Sequence, residues 1–424
     1  MRAAYQYNVL LKSARLPQGR EKDCAPHRSL NVSRPILRKK DISEPFNVLI
    51  TGGGTGGHLF PGIAIAESFM ERNPDNRILF VSIGNQFEKN ILSEKKYNFA
   101  TVTASGIKGK TVWQKLKSIS LIPVGILEAL KIIKHFKPDL AIGMGSYSSG
   151  PVLLAAWLSG IKIVLHEQNI KPGITNRFLS GLAERVYVSF RHTNTGIIKS
   201  KIRFTGNPVR KNILEYSKIQ DGTSKIEGIS EINDKYKFTV LVLGGSQGAN
   251  SINMAVIEAL TCLNSPKNFL FIHQTGPQDE RMVRDTYMRL GIDCVVKSFF
   301  DDMGSIYRKA NLIVCRAGAT TVAEVTAIGK CPIFIPYPYA ADDHQTFNAK
   351  SVADANAAEI VLEADLSEKT LAGKIEALAS DPIRLKTIAE NSKSIGNPDA
   401  AANIINDCYQ LLLKTGPKKE HLYK

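Results

Sequence analysis

The stretch FNVLITGGGTGGHLFPG, residues 46 to 62, decides how the chain is read. A short aliphatic run ends in a turn of glycines, and an apolar pattern of helical period then continues through Met70. Strand, glycine turn and helix in that order form the first half of a βαβ unit. Glycine in such a turn lets the backbone come close to a ligand, and the amides of the turn and of the helix start attract anions. Taken alone, the turn is as compatible with structural tightness as with phosphate binding. It also lacks the acidic residue at the end of a clear second strand that marks a dinucleotide site.

Outward from that stretch, the same alternation recurs. After FNVLI (46 to 50) come RILFVSI (77 to 83), DLAIGMG (139 to 145), IKIVLHE (161 to 167) and RVYVSF (185 to 190). A second series runs through KFTVLVLGG (237 to 245), NFLFIHQTG (268 to 276), CVVKSFF (294 to 300), NLIVCRAG (311 to 318) and CPIFIPYP (331 to 338). β-branched runs alternating with helical patterns build parallel sheets, so the predicted fold class is α/β, with two doubly wound Rossmann-like domains facing a cleft. Ligands of such sheets collect at strand carboxyl ends and at domain interfaces. The expected layout is a basic extension (1–45), a first domain (46–210), a second domain (211–398) and a C-terminal helix and tail (399–424) returning to the first domain. The polar stretch from Lys211 to Lys235 reads as a connector.

Composition narrows the partners. Lys and Arg number 55 against 39 Asp and Glu, a formal charge of +16 that favours anionic partners such as nucleotides, nucleic acid or acidic lipid headgroups. The six cysteines (Cys24, Cys262, Cys294, Cys315, Cys331, Cys408) show no CxxC pair, which argues against a disulfide framework or zinc site and for a reducing compartment. No uncharged apolar run is long enough to span a bilayer, and the first 45 residues, rich in Lys and Arg, lack the apolar core of a secretory signal.

Two more glycine turns follow strands of the second series. Gly244-Gly245-Ser246-Gln247-Gly248-Ala249-Asn250 repeats the first device, and its amides with the Ser246 hydroxyl suit a diphosphate whose charge grows as a sugar leaves. In Arg316-Ala317-Gly318-Ala319-Thr320-Thr321-Val322-Ala323-Glu324, the threonines are placed to cap a helix. Glu324 there either complements the helix dipole or accepts two ribose hydroxyls.

Nine segments in order now carry a resemblance. GGGTGGHLFPG (52 to 62), SGIKGK (105 to 110), GMGSYSSGP (143 to 151), HEQN (166 to 169), GNPVR (206 to 210), GGSQGA (244 to 249), FFDDM (299 to 303), CRAGATTVAE (315 to 324) and DDHQTFNA (342 to 349) closely resemble the MurG family. These are UDP-N-acetylglucosamine transferases acting on undecaprenyl-pyrophosphoryl-N-acetylmuramoyl-pentapeptide, lipid I. The match runs from about Asn47 to Leu413. It implies the glycosyltransferase B architecture and an inverting transfer to the muramoyl 4-hydroxyl that forms lipid II in peptidoglycan synthesis. It implies donor contacts at Thr55, Gly56, Gly57, Asn169, Arg210, Ser246, Phe300, Ala319, Thr320, Thr321, Val322, Ala323, Glu324 and Gln345. Arg210 and Ser246 would hold the diphosphate, the Phe300 backbone would read uracil, Glu324 would take the ribose and Gln345 the sugar hydroxyls. His58 is the expected catalytic group, as base or acceptor-orienting residue, and Tyr147 and Glu167 fall on the acceptor side. Two departures from the family pattern are Ser146, where a third glycine is common, and Phe300, where isoleucine is frequent.

No cofactor and no metal is expected, and Asp301-Asp302 reads as structural. Expected partners are UDP-N-acetylglucosamine, lipid I, an anionic membrane surface and other cell-wall synthesis proteins, without nucleic acid, at the cytoplasmic face of the plasma (inner) membrane. The candidate membrane surface is Val112 to Phe136, where apolar residues interleave with Lys115, Lys117, Lys131 and Lys134, and Pro123 argues further against one continuous membrane-spanning helix. Competing readings are a UDP-sugar transferase for another lipid acceptor, a non-hydrolysing UDP-sugar epimerase of the same architecture, and a scaffold with a dead site.

Overall fold

A computed structural model describes residues 44–106, 111–193, 196–218, 238–245 and 248–413. The first aliphatic run becomes β1 (Asn47–Thr51), flanked by β2 (Arg77–Ser82) and β4 (Leu140–Gly143), and the sheet is completed by β3 (Asn98–Thr101), β5 (Lys162–Glu167), β6 (Arg185–Val188) and β7 (Ile202–Phe204). Its order is β3-β2-β1-β4-β5-β6-β7. Every pairing is parallel. The second sheet holds β8 (Phe238–Leu243), β9 (Phe269–Gln274), β10 (Cys294–Lys297), β11 (Leu312–Cys315), β12 (Cys331–Phe334) and β13 (Glu359–Ile360) in the order β10-β9-β8-β11-β12-β13, again parallel throughout. All ten predicted strands are present. The three unpredicted ones, β3, β7 and β13, are two to four residues long and lie at or beside sheet margins, where a short run gives no pattern to read.

Helices cover both faces of each sheet. In the first domain these are α1 (Gly56–Arg72), α2 (Gln86–Glu94), α3 (Val112–Phe136), α4 (Ser149–Leu158) and α5 (Ile174–Leu179). The second carries α6 (Lys211–Lys218), α7 (Asn250–Ala259), α8 (Glu280–Leu290), α9 (Met303–Lys309), α10 (Ala319–Ile328), α11 (His344–Ala353), α12 (Glu368–Ser380) and α13 (Pro382–Ile395), and α14 (Ala400–Leu413) ends the described chain. The start of the expected connector is therefore helical: Ile213 of α6 is fully buried against α9 and α10, so α6 belongs to the second domain. Residues 219–237, the remainder of that stretch, lie outside the described residues.

Four apolar clusters hold the layers. On one face of the first sheet, α1 and α14 close over Val48, Ile50 and Tyr187. The opposite face is covered by α3, α4 and α5. α14 docks with directed bonds as well as apolar contact: Asn76 donates to the Tyr409 hydroxyl (2.9 Å), Tyr187 donates to Asp407 (2.9 Å) and Lys162 donates to the Leu411 carbonyl (2.6 Å). Truncating the chain before Ala400 would expose Phe46, Phe69 and Tyr187 together.

α3 runs through Pro123 without a break, over 25 residues. A proline lacks only one amide, and Gly125 lets the helix approach the Thr103 carbonyl, which no larger residue would allow. Among the described residues no helix is long and apolar enough to cross a membrane.

Candidate active site

All three glycine turns stand at carboxyl ends of central strands and open on one cleft of about 470 Å³ between the domains. From the first domain it is lined by Thr55, Gly56, Gly57, His58 and Asn169, and from the segment joining the domains by Arg210. The second domain contributes Gly244, Gly245, Ala319, Thr320, Thr321, Glu324 and Gln345. Eleven of the expected site residues thus share one wall space although they lie up to 290 positions apart in the chain. Ser246 lies outside the described residues.

The first turn is built for close approach. Gly52 has φ +129°, and a Cβ there would stand 2.7 Å from the Gly145 carbonyl, so neither the conformation nor the space admits another residue. Glu88 anchors the turn from below: it accepts from the Gly54 amide, the Ser82 hydroxyl (2.8 Å) and the Asn85 amide (3.2 Å). Sequence reading missed Glu88. Its only signal was the Asn85-x-x-Glu88 capping box at the start of α2.

His58 sits in the first turn of α1, partly buried, with Nδ1 3.3 Å from the Thr55 hydroxyl. Desolvation, with a smaller contribution from His344 across the cleft, pulls its pKa down to about 4. The imidazole is therefore neutral at physiological pH. In the tautomer with Nδ1–H donating to Thr55, Nε2 is left with a lone pair for an incoming hydroxyl.

Arg210 and Glu324 meet at the centre. Arg210 gives Nε (3.0 Å) and a terminal nitrogen (2.9 Å) to one carboxylate oxygen of Glu324, and Tyr307 donates to the other at 3.0 Å. The guanidinium also lies 4.5 Å from the Phe60 ring centroid. These two expected ligand contacts thus hold each other before any ligand arrives, and Tyr307 and Phe60, which the sequence did not single out, fix them in place.

Thr320 and Thr321 do not cap α10: Gly318 is its N-cap, without a side-chain bond, and Thr320 instead donates to the Gly57 carbonyl of the other domain at 3.2 Å. The amides of Ala319, Thr320 and Thr321 have no partner within the helix and face the cleft as an anion or hydroxyl site. Residues 319–324 do not act as one surface. Val322 and Ala323 turn away from this cleft and line a second cavity behind α10, because a helix sends every third or fourth side chain to the same side.

Asn169 is oriented from across the domain boundary. The buried Asn348 donates to Asn169 Oδ1 (3.2 Å) and to the Ala317 carbonyl (3.2 Å) and accepts from the Ile170 amide (3.3 Å). With its oxygen taken, Asn169 has only its NH₂ group to offer, and that group also interacts with the Glu167 carboxylate. Gln345 is set in the same way, since its oxygen accepts from the Tyr337 amide at 3.0 Å.

Two expectations are redirected by the geometry. Glu167 is buried, and its carboxylate is used up by the Asn169 amide (3.0 Å), the Gly173 amide (3.0 Å) and Asn176 (2.9 Å). It shapes the loop that carries Asn169 and is not offered to an acceptor. Burial raises its pKa, and those bonds oppose the rise. The Phe300 amide already donates to the Gln274 oxygen at 3.0 Å, and the Phe300 ring is in the core, so a base edge that reaches for that amide displaces Gln274. Tyr147 is exposed and packs beside Gly106, away from the lining of the donor cleft. Asp302 caps α9 through the Ser305 amide (3.2 Å), as a structural residue. Among the described residues no group of three or more His, Cys, Asp or Glu forms a metal-binding cluster.

Two parallel-sheet domains with helix starts on a shared cleft, matched by glycosyltransferase domain models over most of both, place the chain in the class of two-domain glycosyltransferases. The model of the glycosyltransferase family 28 N-terminal domain matches residues 48–188, and that of its C-terminal domain residues 239–404. A relative from Citrifermentans bemidjiense, a UDP-N-acetylglucosamine--N-acetylmuramyl-(pentapeptide) pyrophosphoryl-undecaprenol N-acetylglucosamine transferase, is 44% identical over 85% of this chain and 98% of its own. The chain belongs to that transferase family, the MurG family. The crystal structure of Acinetobacter baumannii MurG superposes with a TM-score of 0.67 at 28% identity, covering 86% of this chain and all of that one. A putative UDP-N-acetylglucosamine 2-epimerase from Listeria monocytogenes, at 14% identity and a TM-score of 0.63 over 90% of this chain and 100% of its own, shares the fold alone.

Proposed function

We propose that this enzyme transfers N-acetylglucosamine from UDP-N-acetylglucosamine to the 4-hydroxyl of the muramoyl sugar of lipid I, forming lipid II with inversion at the anomeric carbon. The observation that carries the reading is the cleft in which His58 of one domain faces the α10 start, Arg210 and Glu324.

In this reading the donor diphosphate draws Arg210 away from Glu324, and the freed carboxylate accepts the ribose hydroxyls. The starts of α7 and α10 with Arg210 stabilise the charge that develops on the departing UDP, without a divalent ion. His58 Nε2 takes the proton of the attacking hydroxyl, while Asn169 and Gln345 offer NH₂ groups to the sugar or its phosphates. A soluble lipid I analogue with labelled donor tests the reaction. Expected is a disaccharide product that forms only with acceptor and persists in chelator; isomerised UDP-sugar without acceptor would favour the epimerase reading instead.

The enzyme works, in the same proposal, as a peripheral protein on the cytoplasmic face of the membrane. Support comes from one stripe of α3: the exposed Trp113, Lys117, Ser120, Val124, Leu127, Lys131 and Lys134 recur every three or four residues, while Ala129 and Ile133 face the core. Leu158 of α4 and Ile174 and Phe178 of α5 extend the exposed apolar surface on the same side of the sheet. A lipid-linked acceptor keeps its tail in the bilayer, so apolar residues ringed by lysine suit the headgroup boundary.

A further inference from the structure

Behind α10, on the side away from the donor cleft, a cavity of about 320 Å³ lies where the two domains join. Its walls come from both: Phe190, Arg191, Phe204 and Asn207 from the first domain and its exit, Ala323 and Ile395 from the second. Ala319 borders this cavity and the donor cleft alike, so the first turns of α10 form the partition between them.

Asn207 is the informative residue. It is 3% exposed, and neither its carboxamide nitrogen nor its oxygen has a hydrogen-bond partner among the described residues. Its chain neighbours are satisfied: the Thr205 hydroxyl donates to the Gly206 carbonyl at 3.1 Å and the Gly206 amide to the Val188 carbonyl at 3.2 Å, while His166, whose Nε2 lies 3.3 Å from the Gly206 carbonyl, also has a buried Nδ1 without a partner among the described residues. A buried amide left with both of its groups unpaired beside a cavity is costly unless something in that cavity bonds to it. No carboxylate lines the space, and the guanidinium on its walls is that of Arg191. The Arg191 guanidinium stacks 4.3 Å from the Phe204 ring centroid, which leaves its N–H edge free for an anion while the ring offers a flat apolar wall.

We propose that this cavity is a second binding site, for a small organic anion with a flat apolar body and a carboxylate or phosphate. Arg191 takes the anionic group, Asn207 bonds to the polar edge, and Phe190, Phe204 and Ile395 pack against the body. A ligand seated on both domains holds them in one relative setting. Through α10 it then changes donor affinity, and by linkage the donor changes its affinity by the same factor. That coupling rests on the donor site proposed above, whereas binding in the cavity does not.

The full-length chain is first titrated with UDP by calorimetry, then with phenyl phosphate while UDP saturates the donor cleft. Expected is one-to-one binding of phenyl phosphate under saturating UDP, weakened at least ten-fold in Arg191→Gln and in Asn207→Leu, with the affinity of Arg191→Gln for UDP alone unchanged. Arg191 is exposed, so its variant keeps the test valid should Asn207→Leu fold poorly. Binding that vanishes under UDP, or that is equal in wild type and Arg191→Gln, overturns the site. Inorganic phosphate binding as tightly as phenyl phosphate overturns the ligand class. If UDP itself fails to bind, the donor reading falls, and the phenyl phosphate titration still judges the cavity through the same two variants.

Discussion

The Arg210 guanidinium and the Glu324 carboxylate stand 2.9 Å apart, one on the segment leaving the first domain and the other in the second turn of α10, with side chains 14% and 5% exposed. Removing one member of a buried pair leaves the other uncompensated, a loss of about 3–5 kcal/mol. Glu324→Ala is therefore expected to lower stability markedly and to raise the donor KM about ten-fold to a hundred-fold. Glu324→Gln keeps an acceptor for Tyr307 and should recover much of the stability but little of the donor affinity. Chemical denaturation and donor titration on both variants check this, and a donor KM unchanged in Glu324→Ala would remove the ribose role.

A histidine held neutral gives a distinctive pH profile. Because burial lowers the pKa of His58 to about 4, its base form persists from alkaline pH down to that value, and kcat/KM should show no break near 6.5, the ordinary imidazole value. His58→Ala should reduce kcat by about 10²–10⁴ with the donor KM little changed. An acid limb at pH 6.5 that disappears in His58→Ala would show that the residue titrates normally.

Stability should also fall in mild acid. His58 and His166 are lowered to about 4 and His273 to about 3, in each case chiefly by desolvation. All three bind fewer protons folded than unfolded between those values and 6.5, so stability is fully present above pH 6.5 and is lost as pH drops through the folded pKa values. Each group contributes a slope of up to about 1.4 kcal/mol per pH unit. Urea midpoints at pH 7 and pH 5 measure the loss, and His273→Gln should flatten the slope.

Ser146 has φ +74°, which explains why glycine is common there in the family pattern. A side chain in the left-handed region costs about 1–2 kcal/mol, partly offset here by the weak bond from the Ser148 amide at 3.4 Å. Ser146→Gly should leave stability unchanged or raise it by up to about 1 kcal/mol, and Ser146→Val should lower it by about 1–2 kcal/mol. Thermal melts of the two variants read the difference.

Vesicle binding tests the α3 stripe. Co-sedimentation with anionic lipid should weaken as salt rises and weaken again in Trp113→Ser with Leu127→Ser, both of which are exposed and spare the core. Ile133→Ser would instead cost stability, since Ile133 is buried. Undiminished binding by the double variant would place the membrane contact elsewhere.

The strands, the glycine turns and the family were legible in the sequence because each is local. Period-two and period-3.6 patterns, and glycines at strand ends, record backbone geometry within a few residues, and every long strand was found from them. Contacts across distance left no such record. Arg210 with Glu324, Asn348 with Asn169, and Thr320 with the Gly57 carbonyl join residues more than a hundred positions apart, and only the folded chain pairs them. The same limit explains Glu167: a carboxylate beside Asn169 in sequence reads as a ligand, yet the loop's turn delivers two amides and Asn176 to it. It also explains α10, where six consecutive residues match one family motif but helical rotation divides them between two cavities. By itself the sequence determined which local shapes form and which chemistry is present. Tertiary structure decided which polar groups are already spent on one another and which still face a ligand, since burial and partnering depend on every element packed around a residue.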